Sequence, residues 1–153
     1  MDDVALTYKQ AGALDIDALL SLVHEYYACE NLPLDDAVAR RRLKEFIQNP
    51  QLGYIWLIMV GGNLEGYIAV TNGYGLEHGR NVILDEFYIR DSFRGRGIGK
   101  MTLRFIEEEL RPRGVESIHT EVERGNTGAL KFWENLGFHR QDRYPMVKMT
   151  RRS

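Results

Sequence analysis

The chain has little of several features, and each scarcity argues against a class of protein. Cys29 is the only cysteine among 153 residues, which rules out an intrachain disulfide and a cysteine cluster around zinc. The four histidines fit no metal-ligand spacing. No apolar stretch approaches the roughly 20 residues of a membrane-spanning helix. The formal net charge of −2 provides no basic field for nucleic acid. We therefore expect no metal, no nucleic acid and no membrane among its partners.

The remaining composition is that of an ordinary globular protein. Hydrophobic residues make up 44% and charged residues 27% of the chain, which is enough to bury a core. The length predicts a single domain over 1–153. The N-terminal stretch 1–4 is acidic and lacks the layout of a signal peptide. Together with the single cysteine, this composition predicts a cytoplasmic protein.

Hydrophobic periodicity predicts an α/β protein of the α+β kind, a mixed and mostly antiparallel sheet flanked by helices. The predicted order is β-α-α-β-β-β-α-β-α-β, with a polar loop over 72–81. The predicted strands span 5–10, 53–60, 64–71, 82–89, 117–122 and 145–149. The predicted helices span 14–27, 35–47 and 100–110, and a last helix contains Trp133.

A glycine-rich segment with two arginines, RGRGIG over 94–99, lies between the strand at 82–89 and the helix that follows. Glycines let backbone N–H groups approach an anion closely, and a helix N-terminus adds partial positive charge. The segment is not a nucleotide P-loop, because Lys100 is followed by Met101 rather than by Ser or Thr. Its last glycine spacing also differs from the dinucleotide fingerprint. The segment therefore predicts a site for a phosphorylated cofactor.

A second motif follows at 125–138, GNTGALKFWENLGF, and reads as a capped helix with a glycine stop. Asn126 or Thr127 is a suitable N-cap, and Gly137 tolerates the left-handed conformation that ends a helix. The segment from 82 to 138, with R-x-x-G-x-G followed by N-x-x-A-x-x-F-[YW]-x-x-x-G-F, resembles the GCN5-related N-acetyltransferase (GNAT) superfamily.

This resemblance implies the superfamily's fold, acetyl-CoA (coenzyme A) as the acetyl donor, and direct transfer to an amine without an acyl-enzyme. It implies that backbone groups of Phe87, Tyr88 and Ile89 contact the pantetheine arm. Asn126 would contact the pantetheine side and Trp133 would pack near the thioester. A homodimer is the oligomeric state that the resemblance suggests. The pyrophosphate would be held by Arg94, Gly95, Arg96, Gly97, Ile98, Gly99 and Lys100.

Two adjacent carboxylates, Asp85 and Glu86, interrupt an otherwise apolar strand. A buried carboxylate is costly, and burial raises its pKa toward the range of a general base. Because side chains alternate along a strand, the two should point to opposite faces, so at most one should face the acceptor. We favour Glu86 as the base, with Asp85 second. The alternative is that one of them pairs with an arginine for structural reasons.

The first helices and the loop over 72–81 bring aromatic and acidic residues toward the expected acceptor pocket. Tyr27 and Glu77 are the substrate-binding candidates, and the alternatives are an amphipathic helix face for Tyr27 and a solvated loop acid for Glu77. Such a pocket suits a primary amine of a small molecule or peptide.

Many superfamily members have Tyr where this chain has Trp133, and that Tyr is their proposed general acid. An indole N–H cannot replace it. Two further hypotheses therefore stay open. One is a cofactor-binding or regulatory module with little turnover. The other is an acyltransferase with a different acyl donor or acceptor.

Overall fold

The computed structural model describes residues 5–151, which form two compact units, 5–121 and 122–151. Residues 1–4, whose composition argued against a signal peptide, lie outside the described residues, as do 152–153. None of the helices within 5–151 combines the length and the hydropathy that crossing a bilayer requires.

The first unit is built on a sheet in which the described residues form five strands in chain order, β1 to β5. The pairs β1–β2, β2–β3 and β3–β4 are antiparallel, and β5 is parallel to β4. This topology confirms the predicted mixed, mostly antiparallel sheet. The strands are β1 (Leu6–Gln10), β2 (Gly53–Val60), β3 (Asn63–Gly75), β4 (Gly79–Ile89) and β5 (Ser117–Thr120).

Helices cover both faces of the sheet. One face packs against α1 (Ile16–Cys29) and α2 (Asp36–Gln48), and the Asp35 side chain caps the start of α2. The other face packs against α3 (Ile98–Leu110). The core facing α1 comprises Leu19, Leu22, Val23, Ile55, Leu57, Tyr67 and Tyr88, and the core facing α3 comprises Ile58, Val60, Ile89 and Ile98.

The second unit contains α4 (Thr127–Asn135), the helix predicted around Trp133. Asn126 caps its start, because its side-chain oxygen accepts a hydrogen bond from the Ala129 N–H at 3.0 Å. Gly137 ends it at φ +96°, and the N–H of Phe138 bonds back to the Trp133 carbonyl at 3.1 Å. This is the glycine stop that the sequence predicts.

Three predicted boundaries are wrong. The polar loop over 72–81 does not exist as such, because β3 and β4 continue as a hairpin to Gly75 and Gly79. One face of this outer hairpin is exposed, and the half-buried face consists largely of glycines, so its sequence lacks the apolar alternation that marks a half-buried strand. The strand at 117–122 ends at Thr120. Residues 145–149 form no strand, since Pro145 offers no N–H and the neighbouring side chains are exposed.

An arginine ties α1 to the sheet beside the core. The Arg90 guanidinium donates to both carboxylate oxygens of Glu25 on α1, at 2.8 and 3.1 Å, and to Glu65 on β3 at 3.3 Å. It also donates to the Leu64 carbonyl at 3.2 Å. The hydrogen bonds from Arg90 are the main cause of the lowered pKa of Glu25. The same contacts hold α1 over β3 and β4.

The sheet requires glycine at position 66 on β3, and we predict that Gly66→Ala destabilises the protein. An added Cβ would lie 2.3 Å from the Tyr88 carbonyl oxygen on β4, so the two strands would have to separate. We expect a loss of about 1–3 kcal/mol in the free energy of unfolding. Gly75→Ala in the same strand is the matched control, because nothing lies within 4 Å of its Cβ. Thermal unfolding of both variants tests this, and equal melting temperatures would contradict the argument.

Candidate active site

Two tyrosines on different elements converge on the carboxylate of Glu86. The Tyr27 hydroxyl, on α1, donates to Glu86 Oε2 at 2.6 Å, and the Tyr67 hydroxyl, on β3, donates to Oε1 at 2.7 Å. Glu86 is half-buried on β4, beneath α1. The first unit therefore contains a carboxylate whose two oxygens each accept a phenol O–H.

Burial dominates the ionisation of this cluster. Desolvation raises the pKa of Glu86 above its ordinary value, while the two tyrosine hydrogen bonds lower it and the nearby Asp85 charge raises it. The pKa of Tyr27 and that of Tyr67 are also raised, first by burial and further by the Glu86 carboxylate. The tyrosines thus stay protonated, and Glu86 is a stronger base than an exposed glutamate.

The other carboxylate, Asp85, is exposed and is the extra residue of a β-bulge. Consecutive residues of β3, Ala69 and Val70, pair with Glu86 and Leu84, so Asp85 has no opposite residue in the ladder. The bulge therefore interrupts the regular alternation of side chains along β4 between Leu84 and Glu86. The bulge places Glu86 on the opposite face from Leu84, toward α1.

The remaining acceptor candidates lie apart from this cluster or are engaged elsewhere. Glu77 lies in the turn of the β3–β4 hairpin, 3.4 Å from the His78 ring nitrogen. That turn is seven residues along β4 from Glu86, on the order of 20 Å. On the helices, His24 contacts Asp36 at 2.9 Å. The described residues contain no His, Cys, Asp and Glu group able to hold a metal ion.

The segment between β4 and α3 has the features of an anion cradle. Gly95 and Gly97 adopt left-handed φ angles of +75° and +77°, and an added Cβ on either would meet nothing within 4 Å. Gly97 is the N-cap of α3, whose first turn contains no acidic side chain. The first N–H groups of the helix have no intrahelical partner. Arg94 and Arg96 are exposed beside them, so the segment fits a pyrophosphate.

Strands β4 and β5 pair only at one end. Their parallel ladder joins 81–84 to 117–120 and extends no further in the described part of the chain. The Arg90 backbone N–H donates a hydrogen bond to the Glu65 carbonyl on β3. Because the hydrogen-bonding groups of successive residues alternate sides along a strand, the backbone N–H and C=O of Phe87 and Ile89 point away from β3. The Ile89 carbonyl on that side accepts a hydrogen bond from Arg94 at 2.9 Å.

Several predicted residues have other contacts in the structure. Tyr88 has its ring in the core facing α1, its hydroxyl donates to Glu25 at 3.4 Å, and burial raises its pKa to about 12. In the second unit, Trp133 is half-buried and packs edge-to-face against Phe132 and Phe138. The Asn126 side chain is used as the helix cap described above.

Tyr67 is the residue of the cluster that sequence reasoning missed. It lies 19 residues before Glu86, and their contact depends on the register between β3 and β4. The sequence signal was a tyrosine in the strand that pairs with the acidic one. That signal becomes specific only once the bulge is known.

Comparisons with known proteins agree on one family. The sequence model of the acetyltransferase (GNAT) family matches residues 17–138. An L-methionine sulfoximine/L-methionine sulfone acetyltransferase of Pseudomonas aeruginosa is 24% identical over 151 residues, covering 94% of this chain and 86% of that protein. A [ribosomal protein bS18]-alanine N-acetyltransferase of Salmonella typhimurium is 36% identical over 114 residues, covering 69% of this chain and 71% of that protein.

Solved structures show the same fold. An aminoglycoside N-acetyltransferase in complex with CoA aligns with a TM-score of 0.81 at 17% identity, and the alignment covers 95% of each chain.

The cradle can be tested with Gly97→Glu. This change places a carboxylate where the pyrophosphate is expected, and we predict a loss of acetyl-CoA affinity of about 100-fold or more, equivalent to about 3 kcal/mol. Gly62→Glu is the matched control, since Gly62 also has a positive φ, +83°, with open space around its Cβ. Calorimetric titration of both variants is the measurement. Unchanged affinity in Gly97→Glu would show that the cradle is not the cofactor site.

Proposed function

Because the chain belongs to the acetyltransferase (GNAT) family, we propose that it moves the acetyl group of acetyl-CoA directly to a primary amine of a small molecule or peptide. As an enzyme it is an acyltransferase, like the N-acetyltransferases to which it is similar. The observation that carries the proposal is the Glu86 carboxylate, held by Tyr27 and Tyr67 on the strand that leads into the anion cradle.

In this proposal the cofactor lies against β4 and the start of α3. The segment from Arg94 to Lys100 holds the pyrophosphate with backbone N–H groups and guanidinium charge. Backbone groups of Phe87 and Ile89 take the pantetheine arm, which the one-ended pairing of β4 and β5 supports, whereas the backbone of Tyr88 faces Tyr67 in the β3 ladder. Acetyl-CoA supplies the acetyl group as a thioester. The cofactor roles of Asn126 and Trp133 rest on the sequence motif.

The residues of this chain act on the acceptor proton. An amine attacks a thioester only as the neutral base, and most amines are protonated near neutral pH. Glu86 removes that proton, because burial raises its pKa and makes it a better base than an exposed carboxylate. Asp85, exposed at the bulge, adds negative charge beside it and favours approach of a cation. The thiolate of CoA leaves without a tyrosine donor at position 133.

The substrates of the relatives indicate which classes of amine to test as the acceptor. The relatives named above act on amino acid analogues and on the alanine of a ribosomal protein. A release assay for free CoA thiol against alkylamines, diamines, amino acids and N-terminal peptides would identify the class. Release with one group of amines supports the proposal. Tight acetyl-CoA binding without release from any amine would favour a cofactor-binding module.

We predict that Glu86→Gln retains acetyl-CoA binding and lowers kcat by about 10²–10⁴-fold. The pKa of Glu86 is raised, so the wild-type rate should fall as pH drops through that pKa, above the usual glutamate range. The variant should recover toward high pH, where the amine is already neutral. Asp85→Asn, one residue away and exposed, is the comparison, and it should lower kcat far less than Glu86→Gln. An unchanged pH–rate profile in Glu86→Gln would exclude Glu86 as the base.

A further inference from the structure

We propose that Tyr27 carries the proton from the acceptor ammonium to Glu86, and that Tyr67 positions the Glu86 carboxylate without contacting the acceptor. The inference rests on the proposed function of Glu86 as the base. It adds a catalytic residue on α1 and separates two tyrosines that make the same kind of hydrogen bond.

The two tyrosines differ in access to the acceptor. Tyr67 is 1% exposed and belongs to the core facing α1, so its hydroxyl reaches only Oε1 of Glu86. Tyr27 is half-buried on α1, with its hydroxyl 2.6 Å from Oε2. Each carboxylate oxygen thus accepts a hydrogen bond from a phenol, and of the two tyrosines only Tyr27 is also partly exposed.

The position of Tyr27 is fixed from two sides. Glu25, two residues earlier on α1, is bound by the Arg90 guanidinium, which holds the helix against β4. The Tyr27 ring packs edge-to-face on Tyr26, and Tyr26 in turn contacts the rings of Tyr67 and Tyr88. A hydroxyl held in this way can act in a proton transfer without first being ordered.

The hydroxyl of Tyr27 has the capacity for a relay. Its O–H donates to Glu86 Oε2, and its oxygen lone pairs remain to accept an N–H of the acceptor. In the step, an ammonium N–H bond breaks and an O–H bond forms on Tyr27, while the original phenol O–H breaks and an O–H forms on Oε2. The phenol is neutral before and after. The ammonium charge and the carboxylate charge cancel, and the freed nitrogen lone pair attacks the thioester.

The surrounding charges keep Tyr27 in the form that the relay needs. Burial and the Glu86 carboxylate raise its pKa, and Asp85 on β4 and Tyr26 on α1 raise it further. Tyr67 on β3 faces the same carboxylate. Tyr27 therefore stays a phenol rather than a phenolate throughout the working pH range, and it serves as a carrier rather than as the final base.

The experiment compares Tyr27→Phe with Tyr67→Phe in single-turnover acetyl transfer, using the best amine from the thiol-release panel. Each change removes one hydroxyl and keeps the ring, so packing is preserved in both. Each also removes a hydrogen bond that lowers the pKa of Glu86, so both should shift the rising limb of the pH–rate profile upward. Acetyl-CoA affinity and melting temperature serve as checks that each variant is folded.

On the plateau above the rising limb, Tyr27→Phe should be slower than wild type by about 100-fold, because the relay is gone. Tyr67→Phe should lose less than about tenfold there. The rate measured in mixtures of H2O and D2O should show two protons in motion in wild type and in Tyr67→Phe. In Tyr27→Phe the rate should depend differently on the D2O fraction.

Equal plateau rates in the two variants would overturn the relay while leaving Glu86 as the base. Wild-type protein that binds acetyl-CoA but acetylates no amine would overturn the proposed function and the relay together.

Discussion

One extra residue in β4 decides on which side of the sheet the candidate catalytic carboxylate lies. In a regular strand Glu86 would share the face of Leu84, which is buried, and would point away from Tyr67. The bulge at Asp85 reverses this, so that Ala69 and Val70 pair with Glu86 and Leu84. Glu86 then meets Tyr27 and Tyr67, and the following residues up to Ile89 are reversed with it. The cluster beneath α1 depends on this single insertion.

The same strand links the two halves of the proposed reaction. Its pairing with β5 covers only 81–84, immediately before the bulge, and its far end leads into the cradle that begins at Arg94. Arg90 lies between these parts and binds Glu25 of α1. The carboxylate and the loop that fits a pyrophosphate therefore lie on one continuous stretch of backbone, and the Arg90 side chain links that stretch to the helix that supplies Tyr27. A change in β4 would therefore shift the carboxylate, α1 and the loop.

The sequence was most informative where chemistry is local. The Asn126 cap and the Gly137 stop depend on residues close in the chain, and the structure has them as predicted; α3 begins at Ile98, two residues before the predicted 100. Tyr67 was missed because its partner depends on strand register, and the bulge leaves no mark in a hydrophobic pattern. The outer β3–β4 hairpin was missed because its half-buried face consists largely of glycines and shows no apolar alternation. The strand predicted at 145–149 rests on a short apolar run that finds no ladder partner among the described residues.

The most direct test of the account is the pKa of Glu86 in the folded protein. Carboxyl ¹³C NMR of protein labelled on glutamate, with Glu86→Gln to assign the resonance, would give it. The account predicts a pKa clearly above that of an ordinary glutamate, because burial outweighs the hydrogen bonds from Tyr27 and Tyr67. A pKa at or below the ordinary value would contradict it, because Glu86 would then be a weak base held for structural reasons.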